Sequence, residues 1–546
     1  VRDPLGRTVI QDYTSDDMVK EIKDANGNTV TFKYDGANRM NEITTAEGHR
    51  TQITFNGRDL VTRELFPSGR TMNYNYDKAG RLVEVIGKAT GASERIRNYE
   101  YDTNGNLMTV GIKATKQATT SAPRLKRTFD ALDRMTSYTD ANGNTVRFEY
   151  DAVGNLTRLT HPDGKSVRYG YDDANRLVTL TDWANRVTRY TYDANSRITR
   201  IDFPNKTRRE MAYDEGGQIL FRADFDVTGE VIVAYDYDYD PSGRMTVEDS
   251  HHNDAPFIPK AAAMTYDKDN RLKTYNGQKV GFDRDGNMTR GPLGMDVMRY
   301  DAFNNLVRAG DYIYFYDEEN RLVGWEKSGA RTDLVVNPGA RLSQILSKTD
   351  PDGTVTRYAY GVGLAYEETG GRTKTYHYDH RGSVVATSDD RGRVTGRLSY
   401  GPFGEIVSQS GDADTLFKFS GLFGVITSPQ GLNYMRFRWY WPEIKRFVNQ
   451  DAHFGNPADI ATLNRFAYAG ANPITQIDPD GEFFLNIVGG ALVGATVNTA
   501  IVLVADLVDD GTINTPWQDY ASAAIGGAVQ GAIFAVCPTC GALAGG

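Results

Sequence analysis

The stretch "YDAVGNLTRLTHPDGKSVRYGYDDANRLVTL", from Tyr150 to Leu180, contains one complete sequence repeat and half of the next. A Tyr-Asp pair opens it, and a second pair follows 21 residues later. Pairs of an aromatic residue and Asp recur at this interval, starting at Phe129, Tyr150, Tyr171, Tyr192 and Tyr213. Less regular copies start at Tyr34, Tyr76, Tyr101, Tyr239, Tyr266, Phe282, Tyr300, Tyr316 and Tyr378. A fixed period of this length indicates a repeat protein in which each unit is one supersecondary element.

One period predicts a β-hairpin. The segment "SVRYGYD" alternates in the manner of a strand and places Val167, Tyr169 and Tyr171 on one face. The following "DDAN" predicts a turn, because Asp and Asn bond their own backbone and tolerate positive φ, and "RLVTLT" is the return strand. Since a lone hairpin is marginal in water, we expect neighbouring hairpins to pair into one long sheet of roughly thirty strands. A sheet of that size should twist and coil.

Composition supports this prediction and excludes several classes of protein. The 546 residues include 55 Gly and 32 Tyr but only 40% hydrophobic residues, which favours many short strands over helices. The net charge of −9, with acids and bases interspersed, does not fit a nucleic-acid-binding protein. The two cysteines, Cys537 and Cys540, cannot form a disulfide framework, and "CPTC" has no second pair or nearby His. We therefore expect no metal site and no cofactor.

The first residues, "VRDPLGRTV", already read as repeat sequence and contain no signal peptide. We interpret the chain as a fragment of a longer polypeptide, so that export could be directed by sequence outside it.

The Tyr-Asp-x-x-Gly-Asn units resemble the YD repeat of the Rhs family, which includes the C components of Tc toxins, and of the teneurins. Copies cover residues 1–402. The resemblance implies an all-β fold in which the coiled sheet closes into a hollow shell, or cocoon. We divide the chain into a YD-repeat shell (1–375), a core domain (376–481) and a short, α-helical, Gly/Ala-rich tail (482–546).

The core-domain region contains four distinctive motifs, the last of which ends at Gly481: "YHYDHRGS", "YGPFGE", "GLNYMRFRWYWPEIKRF" and "NPITQIDPDG". Together they resemble the Rhs-associated core domain nearly end to end. The resemblance implies that this domain caps the shell and cuts its own chain just after the DPxG motif. It assigns the two catalytic carboxylates to Asp451 and Asp478, with Arg446 as their basic partner. The remaining motif and cleavage positions are Asn472, Pro473, Pro479, Gly481, Glu482 and Phe483.

The implied chemistry requires two carboxylates that share one proton, so that like charges separate their pKa values. The ionised carboxylate activates water, the protonated one polarises the scissile carbonyl, and Arg446 holds one of them ionised. The enzyme would then be, at most, a single-turnover aspartic-type autoprotease. A second interpretation stays open, in which Asp451 and Asp478 are turn residues. Glu482 stands where the family usually has Leu, which leaves the scissile bond and the occurrence of cleavage open as well.

The region 482–546 contains five acids and no Lys, Arg or His, and 483–505 and 520–546 are free of charge. Three interpretations remain open: a transmembrane or translocation hairpin, the start of a sequestered effector, and a helical hairpin packed on the shell. Membrane contact is expected only through the two uncharged stretches.

The leading functional hypothesis is an Rhs polymorphic toxin of interbacterial competition, whose shell encloses a C-terminal effector and releases it by self-cleavage. It implies a secreted or cell-surface protein delivered by a specialised secretion system. Its partners would be its own effector segment, a secretion apparatus or toxin-complex component, and an immunity protein. The alternative is a cell-surface YD-repeat protein that binds carbohydrate or another cell through rows of aromatic and polar side chains and is not cleaved.

Overall fold

The structure is a computed structural model and describes residues 8–90, 94–112, 124–243, 245–251, 261–340, 342, 344–452, 460–482 and 485–486. Within these ranges the helices are single 3₁₀ turns, at Gly421–Phe423, Pro442–Ile444, Ile460–Leu463 and Ala469–Ala471. The predicted all-β fold is confirmed. The predicted helical tail lies outside the described residues.

The larger of two long sheets has 22 strands, and each strand pairs antiparallel with the next one along the chain. The strands do not form the predicted single sheet of roughly thirty, because two small sheets separate the 22-stranded sheet from one of 12 strands. The uninterrupted 22-stranded meander is a row of hairpins, as the repeat predicts. Its strands are β1 (Ile10–Tyr13), β2 (Val19–Lys23), β3 (Thr29–Tyr34), β4 (Met40–Thr44), β5 (Arg50–Phe55), β6 (Val61–Leu65), β7 (Thr71–Tyr76), β8 (Leu82–Lys88), β9 (Arg95–Tyr101), β10 (Leu107–Ile112), β11 (Arg124–Phe129), β12 (Met135–Thr139), β13 (Thr145–Tyr150), β14 (Leu156–Thr160), β15 (Ser166–Tyr171), β16 (Leu177–Thr181), β17 (Val187–Tyr192), β18 (Ile198–Asp202), β19 (Arg208–Tyr213), β20 (Ile219–Phe225), β21 (Val231–Tyr239) and β22 (Met245–Ser250).

A second meander of 12 strands follows two small sheets. The small sheets contain β23 (Met264–Tyr266), β24 (Leu272–Tyr275) and β25 (Gln278–Lys279), and β26 (Gly281–Phe282) and β27 (Met288–Arg290). The second meander contains β28 (Met298–Tyr300), β29 (Leu306–Ala309), β30 (Tyr312–Tyr316), β31 (Leu322–Lys327), β32 (Ala330–Asn337), β33 (Gln344–Thr349), β34 (Val355–Gly361), β35 (Gly363–Thr369), β36 (Arg372–Tyr378), β37 (Val384–Ser388), β38 (Val394–Tyr400) and β39 (Ile406–Gly411).

Three side chains of the repeat fasten each hairpin to its neighbours. The Tyr171 hydroxyl donates to the Leu156 carbonyl of the preceding strand, at 3.0 Å. Asp172 closes its own turn by accepting the Arg176 Nε–H at 2.7 Å and the Arg176 backbone N–H at 2.9 Å. The Arg176 guanidinium then lies 4.9 Å from the ring centre of Tyr192, in the next repeat. These contacts explain why an aromatic-Asp pair followed by Arg or Asn is repeated.

The two long sheets lie side by side and contact each other along a seam. Side chains bridge the seam at pairs of residues that are 206, 184 and 153 positions apart: Arg95 and Asp301, Tyr366 and Asp182, and His377 and Asp224. Just before the second sheet, Arg70 bonds in the same way to Asp285, in the turn between β26 and β27. The bridging positions advance in the same direction along both sheets. The second sheet therefore forms the next turn of a coil begun by the first, as expected of a sheet with this many strands.

The strands of the first sheet have one aromatic face and one polar face. Val167 is 2% exposed and belongs to a buried cluster that also includes Tyr190 and Tyr235, with Tyr169 packed against it. Strand residues of the second sheet pack against the aromatic face, since Gly361 of β34 approaches Tyr190 closely and Tyr366 of β35 belongs to the same cluster. The opposite face carries Arg168 and its cross-strand neighbours. This confirms the predicted alternation along "SVRYGYD".

After β39 the chain leaves the meander and builds a compact cap on the second sheet. The cap contains β40 (Ile426–Thr427), β41 (Asn433–Met435), β42 (Arg438–Trp441) and β43 (Arg446–Phe447), followed by β44 (Gln476–Ile477) and β45 (Leu485–Asn486). Trp439 anchors it by donating its indole N–H to the Tyr316 hydroxyl, at 2.8 Å. Residue 376, our predicted domain boundary, lies within β36, and the second sheet continues to Gly411. The division into domains stays a prediction.

Candidate functional site

Arg438, at the start of β42, is the centre of the site. It is 5% exposed and lies in a strand that is otherwise aromatic. One of its terminal nitrogens lies 2.9 Å from Asp451 Oδ2 and 3.3 Å from Asp478 Oδ2. The two carboxylates that the sequence singled out are thus brought together, 27 residues apart in the chain.

Asp478 is the more buried of the two carboxylates, with 2% of its surface exposed. It directly follows β44, and its Oδ1 accepts the Gly481 backbone N–H at 2.8 Å. Burial raises the pKa of Asp478 well above its ordinary value, whereas the charge of Arg438 acts in the opposite direction. A carboxyl in such a position can hold a proton at neutral pH.

Asp451 is more accessible, since its side chain is 13% exposed. Arg465 fixes its backbone: the Asp451 carbonyl accepts the Arg465 Nε–H at 2.9 Å, and the Asp451 N–H donates to the Arg465 carbonyl at 3.0 Å. Burial lowers the pKa of Arg465 to about 9. Asp451 is therefore held in place through its main chain, with its carboxylate directed to Arg438.

The Gly481 carbonyl is the third group that Arg438 contacts, through its Nε–H. Gly481 has a φ of +85°, and a Cβ at this position would lie 2.7 Å from the Met435 carbonyl oxygen. The next amide N–H, that of Glu482, donates to Asp480 Oδ1 at 3.1 Å. The bond between Gly481 and Glu482 therefore has a cation on its carbonyl oxygen and an acceptor on its nitrogen.

The chain is held on both sides of this bond. Residues 485–486 pair antiparallel with 476–477, so that β44 and β45 form a hairpin around it. Upstream, the Asn472 side chain donates to Thr475 Oγ1 at 2.6 Å, and Pro473 and Pro479 are buried. The motif residues thus build the turn that leads to the site. Phe483, which we placed in the cleavage region, lies outside the described residues.

Arg446 does not contact either carboxylate, and this expectation is wrong. Its guanidinium donates to the Asn270 carbonyl at 2.6 Å and to Asn464 Oδ1 at 3.1 Å, and it lies 4.7 Å from the ring centre of Tyr266. It sits opposite Trp441 in the β42–β43 ladder and attaches the cap to a turn of the first small sheet. Arg438 makes the contacts that we assigned to Arg446.

Sequence reasoning missed Arg438, Arg465 and Asp480. A usable signal existed for Arg438, because "MRFRWYW" places an Arg inside an aromatic run that predicts a buried strand. A buried Arg requires a carboxylate partner. In the part of the chain that the structure describes, no group of His, Cys, Asp and Glu side chains could hold a metal ion. The same part has no helix long and apolar enough to cross a membrane.

Known proteins resemble this chain over most of its length. The family profile described as "Teneurin YD-shell" matches residues 64–224 and 191–474, and "RHS Repeat" matches residues 13–50. The tRNA3(Ser)-specific nuclease WapA of Bacillus spizizenii is 29% identical over 228 residues, which are 39% of this chain and 10% of that protein. Double-stranded DNA deaminase toxin A of Burkholderia cenocepacia is 25% identical over 283 residues, 50% of this chain and 18% of the relative. Teneurin-1 of Mus musculus is 24% identical over 300 residues, 52% of this chain and 10% of the relative. This chain thus spans less than a fifth of the length of these relatives.

Two crystal structures share the fold. TcdB2-TccC3 without its hypervariable C-terminal region has a TM-score of 0.64 at 15% identity, covering 87% of this chain and 30% of that one. TcdB2-TccC3-TEV has a TM-score of 0.59 at 16% identity, covering 87% of this chain and 31% of that one. At such low identity the similarity concerns the fold alone.

Proposed function

Since this chain belongs to the teneurin YD-shell family, we propose that it is the shell of an Rhs-type toxin, which encloses its own C-terminal segment and releases it by cutting after Gly481. The proposal includes action outside the producing cell. It also includes an effector that begins in the acidic, base-free region 482–546.

One observation carries the proposal: a single buried guanidinium contacts Asp451, Asp478 and the carbonyl oxygen of Gly481. The Pro479 carbonyl of the same turn also accepts from a guanidinium, that of Arg436, at 2.7 Å. Arg438 differs in contacting both carboxylates as well as the carbonyl. A donor on the scissile carbonyl oxygen stabilises the negative charge that develops there when water attacks. The two carboxylates beside it suit the transfer of protons to and from the reacting groups.

The proposed reaction is a hydrolysis of the peptide bond between Gly481 and Glu482. Asp451, the more accessible carboxylate, takes a proton from water, whose oxygen attacks the Gly481 carbonyl carbon. Arg438 stabilises the resulting oxyanion, and the protonated Asp478 gives its proton to the Glu482 nitrogen as the bond breaks. The products are a carboxyl group on Gly481 and a free amino group on Glu482.

The relatives support the toxin part of the proposal. Two of them are named for a nuclease and a deaminase toxin, and both are far longer than this chain. One structure with this fold was determined without a hypervariable C-terminal region. A constant shell that carries different C-terminal segments accounts for both observations.

The proposal is tested by intact mass spectrometry of the purified 546-residue chain and of its Asp478→Asn and Asp451→Asn variants. We expect the native chain to yield separate masses for residues 1–481 and 482–546, and both variants to stay whole. The control is Asp352→Asn, since Asp352 caps an ordinary exposed turn by accepting the Thr354 N–H at 2.8 Å. An uncut native chain, or a cut that persists in Asp478→Asn, would return Asp451 and Asp478 to the role of turn residues.

A further inference from the structure

Four cations recur at the 21-residue period of the repeat, three positions before the aromatic residue of each pair. They are Lys126, Arg147, Arg168 and Arg189, which we call the cation ladder. The equivalent positions of neighbouring repeats hold other residues: Asn73, Asn98 and Glu210. The ladder is therefore a local feature and is not required by the fold.

The strand register places the ladder on one face of the first sheet. The cations lie on β11, β13, β15 and β17, alternate strands of the meander. Because neighbouring strands are about 4.8 Å apart, successive cations are spaced by roughly 10 Å. Arg147 is opposite the hydroxyl side chains Ser137 and Thr160. Arg168 is opposite Thr181 on one side and Arg158 on the other. Arg189 is opposite Thr179 and Asp202.

The cations of the ladder are exposed and lack carboxylate partners. Among the described residues, the side chains of Lys126, Arg147 and Arg189 form no hydrogen bond or ion pair, and that of Arg168 binds only the amide oxygen of Asn185, at 2.9 Å. The acids on this face are occupied by other arginines: Glu149 by Arg158, and Asp202 and Glu210 by Arg200. In a chain of net charge −9, this row of uncompensated positive charge is unusual.

The ladder points away from the parts of the protein that cover the sheet. Along the seam, residues of the second sheet pack against the opposite, aromatic face, where Gly339 approaches Phe148 and Gly361 approaches Tyr190. The ladder side chains therefore stay exposed while the two sheets are in contact.

We propose that the cation ladder is a binding surface for a linear anionic polysaccharide. Its spacing is comparable to one disaccharide of an extended chain, so that each repeat could meet one sulfate, phosphate or carboxylate group. Ser and Thr hydroxyls between the cations can hydrogen-bond to sugar oxygens.

The same face disfavours two other ligands. On β11 to β17, the residues whose side chains lie on the same face as the ladder include no aromatic residue. This face therefore lacks the stacking platform on which single-stranded nucleic acid depends. Neutral sugars would lose the same platform and would gain nothing from the charge. The ladder also has no groove-filling helix or ribbon of the kind that reads a DNA duplex.

The test measures binding of the whole chain to a fluorescent heparin octasaccharide by anisotropy at low ionic strength. The triple variant Arg147→Gln/Arg168→Gln/Arg189→Gln should bind at least tenfold more weakly than the native chain. The control Lys33→Gln/Arg50→Gln/Arg290→Gln removes the same charge from exposed cations that have carboxylate partners: Glu42 for Lys33 and Arg50, and Asp296 for Arg290. It should change the affinity by less than twofold, and all three proteins should melt at the same temperature.

Three results would overturn the proposal. The first is that the native chain does not bind heparin. The second is an equal loss of affinity in both triple variants, which would mean that the overall charge distribution of the protein attracts heparin, and not the ladder. The third is that a DNA duplex binds as tightly as heparin and that its binding also depends on the ladder. Nucleic acid would then be the ligand in place of a polysaccharide. Self-cleavage should be identical in all variants, so failure here is distinguishable from failure of the proposed cut.

Discussion

His161 packs edge-on against Trp183, with ring centroids 5.3 Å apart, and neither of its ring nitrogens has a hydrogen-bond partner among the described residues. His161 lies in the turn between β14 and β15, on the rim that meets the second sheet, and is 2% exposed. Burial lowers the pKa of His161 to about 4. A buried imidazole without partners costs free energy, and it costs more once protonated.

His161→Phe should therefore stabilise the protein, by about 1–3 kcal/mol at neutral pH, because it removes two unsatisfied polar atoms and keeps the ring. It should also flatten the pH dependence. Because the pKa of His161 is lower in the folded protein than in the unfolded chain, the native protein has its full stability with respect to this group above about pH 6.5. It is lost as the pH falls from there to about 4. Melting temperatures of both proteins between pH 7.5 and 4.5 would show this; a native curve and a variant curve that stay parallel would contradict it.

The seam between the coil turns should depend on one buried carboxylate, that of Asp224, which is bound from both sheets. Arg209 Nε lies 2.7 Å from Asp224 Oδ1, both side chains are almost fully buried, and Asp224 also accepts a hydrogen bond from His377 of the second sheet. Asp224→Asn should cost about 3–5 kcal/mol, because it leaves the guanidinium buried without a counter-charge. Limited proteolysis should then cut first between the two sheets. The control Asp202→Asn removes an exposed partner of Arg200 and should leave the pattern unchanged.

Arg438, and not Arg446, should be essential for self-cleavage. Arg438→Gln removes the cation from the Gly481 carbonyl oxygen and from both carboxylates, so we expect the chain to stay whole. Arg446→Gln should still be cut, although loss of its contact with the Asn270 carbonyl should loosen the cap. Intact mass after a fixed incubation reports both. The reverse result would restore the role that the sequence pattern gave to Arg446.

The sequence pattern pointed to Arg446, whereas Arg438 contacts the carboxylates, and this difference shows what could not be predicted from the sequence. The 21-residue interval was sufficient for the hairpin, the meander and the shared face of Val167 and Tyr169, because strand alternation and turn chemistry are local. The carboxylate pair was found through motif resemblance. The choice between Arg438 and Arg446 depends on which strand of the cap faces the DPxG turn. The aromatic run around Arg438 predicts its burial but not which carboxylates lie opposite it. The seam was equally hidden, since its contacts join residues more than 150 positions apart.

Gly481 offers the sharpest test of the cleavage geometry. Gly481→Ala forces a side chain into a backbone with φ of +85° and places its Cβ 2.7 Å from the Met435 carbonyl oxygen. The turn must shift, and the scissile carbonyl should move off Arg438, so cleavage should slow by tenfold or more, since small misplacements in catalytic geometry are costly. Gly353→Ala is the matched control: its φ is +84°, yet its Cβ would meet nothing within 4 Å. Gly353→Ala should introduce the same backbone strain, yet the chain should be cut at the native rate. Equal cleavage rates for both variants, followed by intact mass over time, would show that the contact between Arg438 and Gly481 has no part in the reaction.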